Sequence, residues 1–148
     1  MAAQLRRTYT LPDIGNAAHE ALEALHKAHD RVGRVMAVVT AMAVVDILTD
    51  HDDAAPFDAA HAELIEAEDG SLHATGRYWT AAGEERTFTD AVGEDRGHWG
   101  VFGMNEWTPN LGYENEGVWK PLVDPLAPRN GQKVYRIDLA KAVTLPVD

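Results

Sequence analysis

AHEALEALHKAHDRVGRVMAVVTAMAVVDIL, residues 18–48, is the most strongly patterned stretch of the chain. Its apolar residues recur at intervals of three and four, the spacing of one helical face. They are Ala18, Ala21, Leu22, Leu25, Val32, Val35, Met36 and Val39. The sequence therefore predicts a long N-terminal helix, capped by Asp13 or Asn16. Residues 5–11, LRRTYTL, precede it as a short strand or a docking arm.

Two features leave undecided whether this helix is straight and where it ends. Gly33 costs about 1 kcal/mol relative to alanine inside a helix, so it marks either a kink or a point of close packing. Beyond it nearly every residue is apolar, which indicates burial by the sheet or by a second subunit. We therefore expect a homodimer through residues 35–45, from Val35 to Val45. The β-branched residues between 44 and 48 favour a strand, and we place the change from helix near residue 43.

Antiparallel strands are predicted after the helix. Residues 62–68 and 72–80 flank an Asp-Gly dipeptide, which is a strong hairpin signal between such runs. A second turn leads to residues 85–89, ERTFT, and residues 134–139, VYRIDL, form the last strand. The predicted fold class is α+β, with the helix packed on an antiparallel meander of about four to six strands.

Residues 91–131 combine dense Gly, Asn, Pro, Asp and Glu with aromatic residues, which predicts short strands joined by long loops. Long loops in compact domains are often functional. Tryptophan and tyrosine combine a large apolar area with a polar edge, as binding surfaces do. We therefore expect a binding surface in these loops of the C-terminal half. Its candidate residues are Trp99, Glu106, Trp107, Tyr113 and Trp119.

Composition places the chain among ordinary globular proteins. Its 148 residues are 45% hydrophobic and 25% charged, which indicates one domain over residues 1–148. The chain has no cysteine, which excludes a disulfide framework, a thiolate nucleophile and an iron–sulfur cluster. We expect no bound cofactor. Glycine patterns for phosphate binding are also missing, because Gly97, Gly100 and Gly103 are not followed by a helix-like sequence.

Charge and hydropathy indicate the environment and the partner. The net charge is −11 with only four lysines, which argues against direct binding to duplex nucleic acid and favours a basic protein partner. The apolar run 35–48 has 14 residues, whereas a membrane span needs about 20. Residues 1–10 contain no apolar segment of a signal peptide. We therefore expect a cytoplasmic protein that does not enter a membrane.

Three polar clusters contain the residue types of a metal site or an acid–base pair, but their spacing does not require either. His19, Glu23, His26 and Asp30 share one helical stripe, and Glu23 and His26 have the Glu-x-x-His spacing of di-metal helical bundles. A second cluster covers residues 50–58 with His61, and a third pairs His98 with Glu106 as a potential acid and base. No nucleophile motif is present, since the sole serine, Ser71, falls in a predicted turn.

The leading functional hypothesis is a non-catalytic, acidic interaction protein, an accessory or inhibitory factor that binds a protein partner through the aromatic loops. Tryptophan and tyrosine are enriched in the energetic centres of interfaces. A small metal-dependent or acid–base enzyme is one alternative. A small-molecule or glycan binding module in the aromatic loops is the other.

Overall fold

The computed structural model describes residues 6–148, and it is dominated by one 39-residue helix, α1 (Leu11–Thr49). Thr10 caps its start, because the Thr10 hydroxyl accepts a hydrogen bond from the amide of Asp13 at 3.3 Å. The predicted caps, Asp13 and Asn16, both lie inside the helix instead. Of the predicted strand or arm at 5–11, residue 5 lies outside the described residues, residues 6–10 form no strand, and Leu11 begins α1.

The predicted change from helix to strand near residue 43 is wrong, because α1 continues to Thr49. Val44 is fully buried, so packing outweighs the weak preference of β-branched residues for strands. Of the two readings of Gly33, the structure confirms close packing. A Cβ atom there would lie 2.9 Å from the Cβ of Asn115. The helix is unbroken at this glycine and passes directly over another element.

The described residues form five antiparallel strands: β1 (Ala59–Glu66), β2 (Leu72–Thr80), β3 (Glu85–Thr87), β4 (Val123–Arg129) and β5 (Gln132–Asp138). They make one sheet in the order β3-β2-β1-β5-β4. The hairpin around Gly70 is confirmed, and Gly70 has φ +84°, which a glycine adopts without strain. The first three strands form the predicted meander, while the last two form a hairpin that adds β5 beside β1.

The prediction of short strands and long loops over residues 91–131 is wrong for most of that segment, which is helical. The elements are α2 (Phe88–Val92), α3 (Glu94–Met104), α4 (Glu116–Trp119) and three single-turn 3₁₀ helices, Thr108–Asn110, Tyr113–Asn115 and Lys120–Leu122. The glycines of α3 have a packing reason. A Cβ at Gly97 would lie 2.6 Å from the backbone nitrogen of Thr89, and one at Gly100 would lie 2.7 Å from the Ile47 side chain. The helix approaches its neighbours too closely for larger residues.

The core lies between α1, the short helices and one face of the sheet. Ala37, Ala41 and Val44 of α1 pack in one buried cluster with Leu64 of β1 and Ile137 of β5. A last short helix, α5 (Leu139–Ala142), follows β5 and also contacts α1. Packing on this core therefore involves only the C-terminal half of α1.

Candidate interaction surface

Two exposed aromatic side chains stand together on α3. Trp99 and Phe102 are three residues apart on this helix, with ring centroids 5.7 Å apart and planes at 83°, an edge-on pair. Trp99 is 71% exposed and Phe102 is 65% exposed. Contiguous exposed apolar groups of this kind are enriched at binding sites, so the two residues are a candidate site. We call these two residues the aromatic pair.

The aromatic pair rests on a firmly held helix. Met104 at the end of α3 is buried, and the next residue, Asn105, joins the helix to β2 through both halves of its amide. Asn105 Oδ1 accepts from the Ala74 amide at 2.8 Å, and Asn105 Nδ2 donates to the Ala74 carbonyl at 3.1 Å. Near the other end, Arg96 donates to the carbonyl of Ile47 in α1. A preformed surface loses little conformational entropy on binding.

A cleft of about 410 Å³ opens beside the aromatic pair, between β2, α2 and α3. Phe102 and Val101 form part of its apolar lining, while Thr75, Thr89 and His98 supply polar groups. Glu106 is not part of this lining. His98 and Glu106 are both exposed, and their side chains make no hydrogen bond or ion pair with the described residues. The geometry does not join them as an acid and a base.

The other exposed candidates follow α3 in sequence. Trp107 is 44% exposed just after the helix, beside the exposed Glu106. Tyr113 is 60% exposed, and its ring covers Gly70 in the turn between β1 and β2, where a Cβ would overlap it. In this turn the hydroxyl and amide of Ser71 donate to Asp69, which lowers the pKa of that carboxyl. The serine is thus explained by turn structure.

Trp119 does not lie on the surface that the sequence predicted. It is 1% exposed, its indole nitrogen donates to the Gly112 carbonyl at 2.8 Å, and its ring meets the edge of Tyr135 at a centroid distance of 5.5 Å. Burial also raises the pKa of Tyr135. Trp119 is a core residue, because α4 turns its apolar side under α1. We therefore remove it from the candidate surface.

Phe102 is the surface residue that sequence reasoning missed. Its three-residue spacing from Trp99 was available in the sequence, but that spacing brings side chains together only on a helix. The same segment was predicted to be loop and strand. Because α3 was not predicted as a helix, the proximity of Trp99 and Phe102 was not predicted either.

The polar stripe of α1 and the acidic turn after it form no metal centre. Glu23 pairs with Lys27 at 3.3 Å on an exposed helix surface, and His51 lies 3.4 Å from Asp46. Within residues 6–148, no group of three His, Asp or Glu side chains is placed to hold a metal ion. These clusters are solvated polar surface in the described chain.

A buried carboxylate lies on the sheet face opposite α1. Glu63 is 2% exposed, accepts a hydrogen bond from the Thr75 hydroxyl at 2.9 Å and forms an ion pair with Arg129. Arg77 approaches the same carboxylate at 3.9 Å. Charged side chains are buried when their partners satisfy them, as these do. These partners offset the cost of burying the charge and occupy the oxygens of the carboxylate.

No protein-family model matches this chain, and no curated protein and no solved structure shows significant similarity to it. Any inference of function therefore rests on the fold and on its exposed surfaces.

Proposed function

We propose that the protein is a non-catalytic interaction protein that binds a protein partner through the aromatic pair and through the exposed Trp107 and Tyr113, which follow α3 in the chain. One observation carries the proposal: Trp99 and Phe102 stand side by side in water on a helix that is fixed to β2 and α1. Such rigid aromatic groups supply much of the binding energy at protein interfaces.

Charge narrows the kind of partner. The chain carries a net charge of −11, so a basic protein surface would be attracted and another acidic one repelled. We further propose a cytoplasmic setting and no direct contact with duplex nucleic acid, since phosphate binding requires clustered cations.

The test compares partner capture by three proteins. The double variant Trp99→Ala/Phe102→Ala should lose its captured partner, with affinity falling about tenfold or more, because both anchors are removed. Tyr9→Ala is the matched control, since Tyr9 is 68% exposed but lies before α1. Affinity capture followed by mass spectrometry measures the bound proteins, and thermal unfolding verifies the fold. Equal capture by the double variant and the control would contradict the proposal.

The cleft supports a second candidate function, the binding of a small molecule or glycan. It lies against Phe102 and offers the hydroxyl of Thr89 and the imidazole of His98 beside apolar side chains. A ligand there should quench tryptophan fluorescence, and Trp99→Phe should abolish most of that change because Trp99 contacts Phe102 at the rim. A ligand panel that leaves the fluorescence of the parent protein unchanged would count against this candidate.

A further inference from the structure

The N-terminal half of α1 has no cover within the described chain. Residues 11–32 are exposed apart from the half-buried His29, and the exposed set includes large apolar side chains. Leu11 is 81% exposed, Leu22 53% and Leu25 48%. Helices gain most of their stability by packing an apolar face, so a projecting helix of this kind indicates a missing partner. We call residues 11–32 the arm.

The arm shares a heptad stripe with the rest of α1. Apolar residues recur at alternating steps of three and four, which is the seam of a coiled coil. They are Leu11, Ile14, Ala18, Ala21, Leu25, Ala28, Val32, Val35, Val39 and Met42. The core of the domain takes a different face of the helix, formed by Gly33, Ala37, Thr40, Ala41 and Val44. The stripe therefore stays outside the core along its whole length, and Met42 is still 42% exposed.

We propose that two copies of this chain pair antiparallel along the stripe, so that the arm of each copy covers the outward face of the packed half of the other. This dimer extends the contact expected at residues 35–45 to nearly the whole helix. The proposal does not depend on the aromatic pair. In this register Leu11 faces the partner's Met42, Ile14 faces Val39, Ala18 faces Val35, Ala21 faces Val32 and Leu25 faces Ala28.

Side-chain size favours this orientation over a parallel one. In a parallel pair, Ala18, Ala21 and Ala28 would each face the same alanine of the other copy and leave gaps in the seam. In the antiparallel register each of the three faces a valine or a leucine. Even volume along a seam is what close packing requires.

A groove at the end of the stripe fits the first residue of the arm. Met42, Phe57 and Val143 line a groove of about 140 Å³, and Phe57 is 39% exposed while Val143 is 44% exposed. A leucine cut back to alanine in a protein core leaves a cavity of about 150 Å³, so the groove suits one leucine-sized side chain. The antiparallel register brings the partner's Leu11 to this place.

Charge supports the same arrangement. Each chain carries −11, and antiparallel pairing separates the two folded bodies, whereas parallel pairing would set them side by side. The flanking positions also bring no two like charges together.

The projected area of the stripe is more than half of the area that a stable dimer interface buries on each copy. Residues 11–42 extend about 48 Å at 1.5 Å per residue, and a helix with side chains is about 10 Å wide. The stripe thus projects roughly 500 Å², and its protruding side chains and the groove add to the accessible area. Stable interfaces bury about 800 Å² on each partner.

A lipid bilayer is the competing occupant of this face. By length and composition α1 is able to span a membrane, with a mean hydropathy of 1.8 over its most apolar 18 residues and 28% of them buried. However, the buried residues of α1, among them Ala37, Ala41 and Val44, pack in the core of the domain. A spanning helix would have to give up these contacts.

The absence of native cysteine makes the register directly testable. Leu11→Cys and Met42→Cys proteins are mixed in detergent-free buffer and oxidised, and disulfide-linked dimers are measured by non-reducing electrophoresis. We expect the linked dimer only in the mixture, because a disulfide needs Cα atoms about 4.4–6.8 Å apart and the two Leu11 positions lie about 47 Å apart in this register. Linkage of each variant with itself would show a parallel pair, and absence of linkage would overturn the dimer.

A second pair of variants tests the seam itself. Leu25→Glu should raise the dimer dissociation constant about hundredfold or more, since each copy would bury a carboxylate without a partner. His26→Glu is the matched control, because it adds the same group one position away from the seam. Native mass spectrometry across protein concentrations measures the dimer. A monomeric parent protein, equal dimer loss in both variants, or sedimentation of the parent with phosphatidylcholine vesicles in place of dimerisation would each overturn the proposal.

Discussion

In the C-terminal half of α1, Ala37, Ala41 and Val44 are at most 2% exposed, whereas in the N-terminal half Leu11, Leu22 and Leu25 are about half exposed or more. Both halves belong to one unbroken helix and both are rich in alanine. The difference lies in side-chain size on each face. Small residues face the domain, which lets α1 come close to its neighbours, while many of the larger ones point outward.

This contrast shows that an apolar helix is not buried in proportion to its hydrophobicity. Residues 35–45, which the sequence shows to be apolar on nearly all sides, do not have the same surroundings on every face. One face packs in the core, and the stripe from Val32 to Met42 remains available. Stability measurements on matched substitutions in the two halves are able to test this division.

The largest effect is expected at the glycines. Gly33→Leu should cost about 3 kcal/mol of unfolding free energy, because its side chain would overlap Asn115 and Val118. Gly15→Leu is the matched change in the arm, where a Cβ meets nothing within 4 Å among the described residues. It should stabilise the helix by up to about 1 kcal/mol. Urea unfolding measures both, and similar destabilisation by the two variants would disprove the division between the halves.

Valine truncation gives the next largest contrast. Val44→Ala should lower the free energy of unfolding by about 2 kcal/mol, since Val44 is fully buried. Val32→Ala should change it by less than about 0.5 kcal/mol in dilute protein, because Val32 is 38% exposed. Chemical unfolding at two protein concentrations measures both values. If Val32→Ala were as costly as Val44→Ala at the lowest concentration, then Val32 would belong to the monomer core.

The helix, the first three strands, the last strand and the first hairpin were predictable because their signals are local. Periodicity marks α1, and the Asp-Gly turn fixes the pairing of β1 with β2. The short helices after β3 were not predictable by the same means. Gly97 and Gly100 weaken a helix by themselves, and only contact with Thr89 and Ile47 explains them. Single-sequence patterns do not contain such long-range packing.

The candidate surface was predictable only in part, for the same reason. Trp99, Trp107 and Tyr113 are exposed as a binding role requires, but composition alone did not separate them from the buried Trp119. The pairing of β5 with β1 places Tyr135 where its ring meets Trp119. Residue type therefore indicated the region, and tertiary contacts decided which aromatic rings face water.

The smallest expected effect lies at the border between the two halves, where α1 holds the C-terminal tail. Arg34 donates from Nε to the Pro146 carbonyl and from Nη2 to Asp148, both at 3.0 Å, and the neighbouring Arg31 donates to Val147. Arg34→Gln should cost about 1 kcal/mol or less, since exposed charged contacts contribute little. It should nevertheless speed hydrogen exchange in residues 143–148 by several-fold, because local opening becomes easier.

Lys27→Gln serves as the control for this tail contact, since Lys27 pairs with Glu23 on the arm and touches no residue of the tail. Exchange measured by mass spectrometry in both variants separates a local from a general effect. Faster tail exchange in Arg34→Gln alone assigns the tail to the packed half of the helix. Equal acceleration in both variants would mean that tail exchange responds to the overall charge of α1. The tail would then not be held specifically by the packed half of the helix.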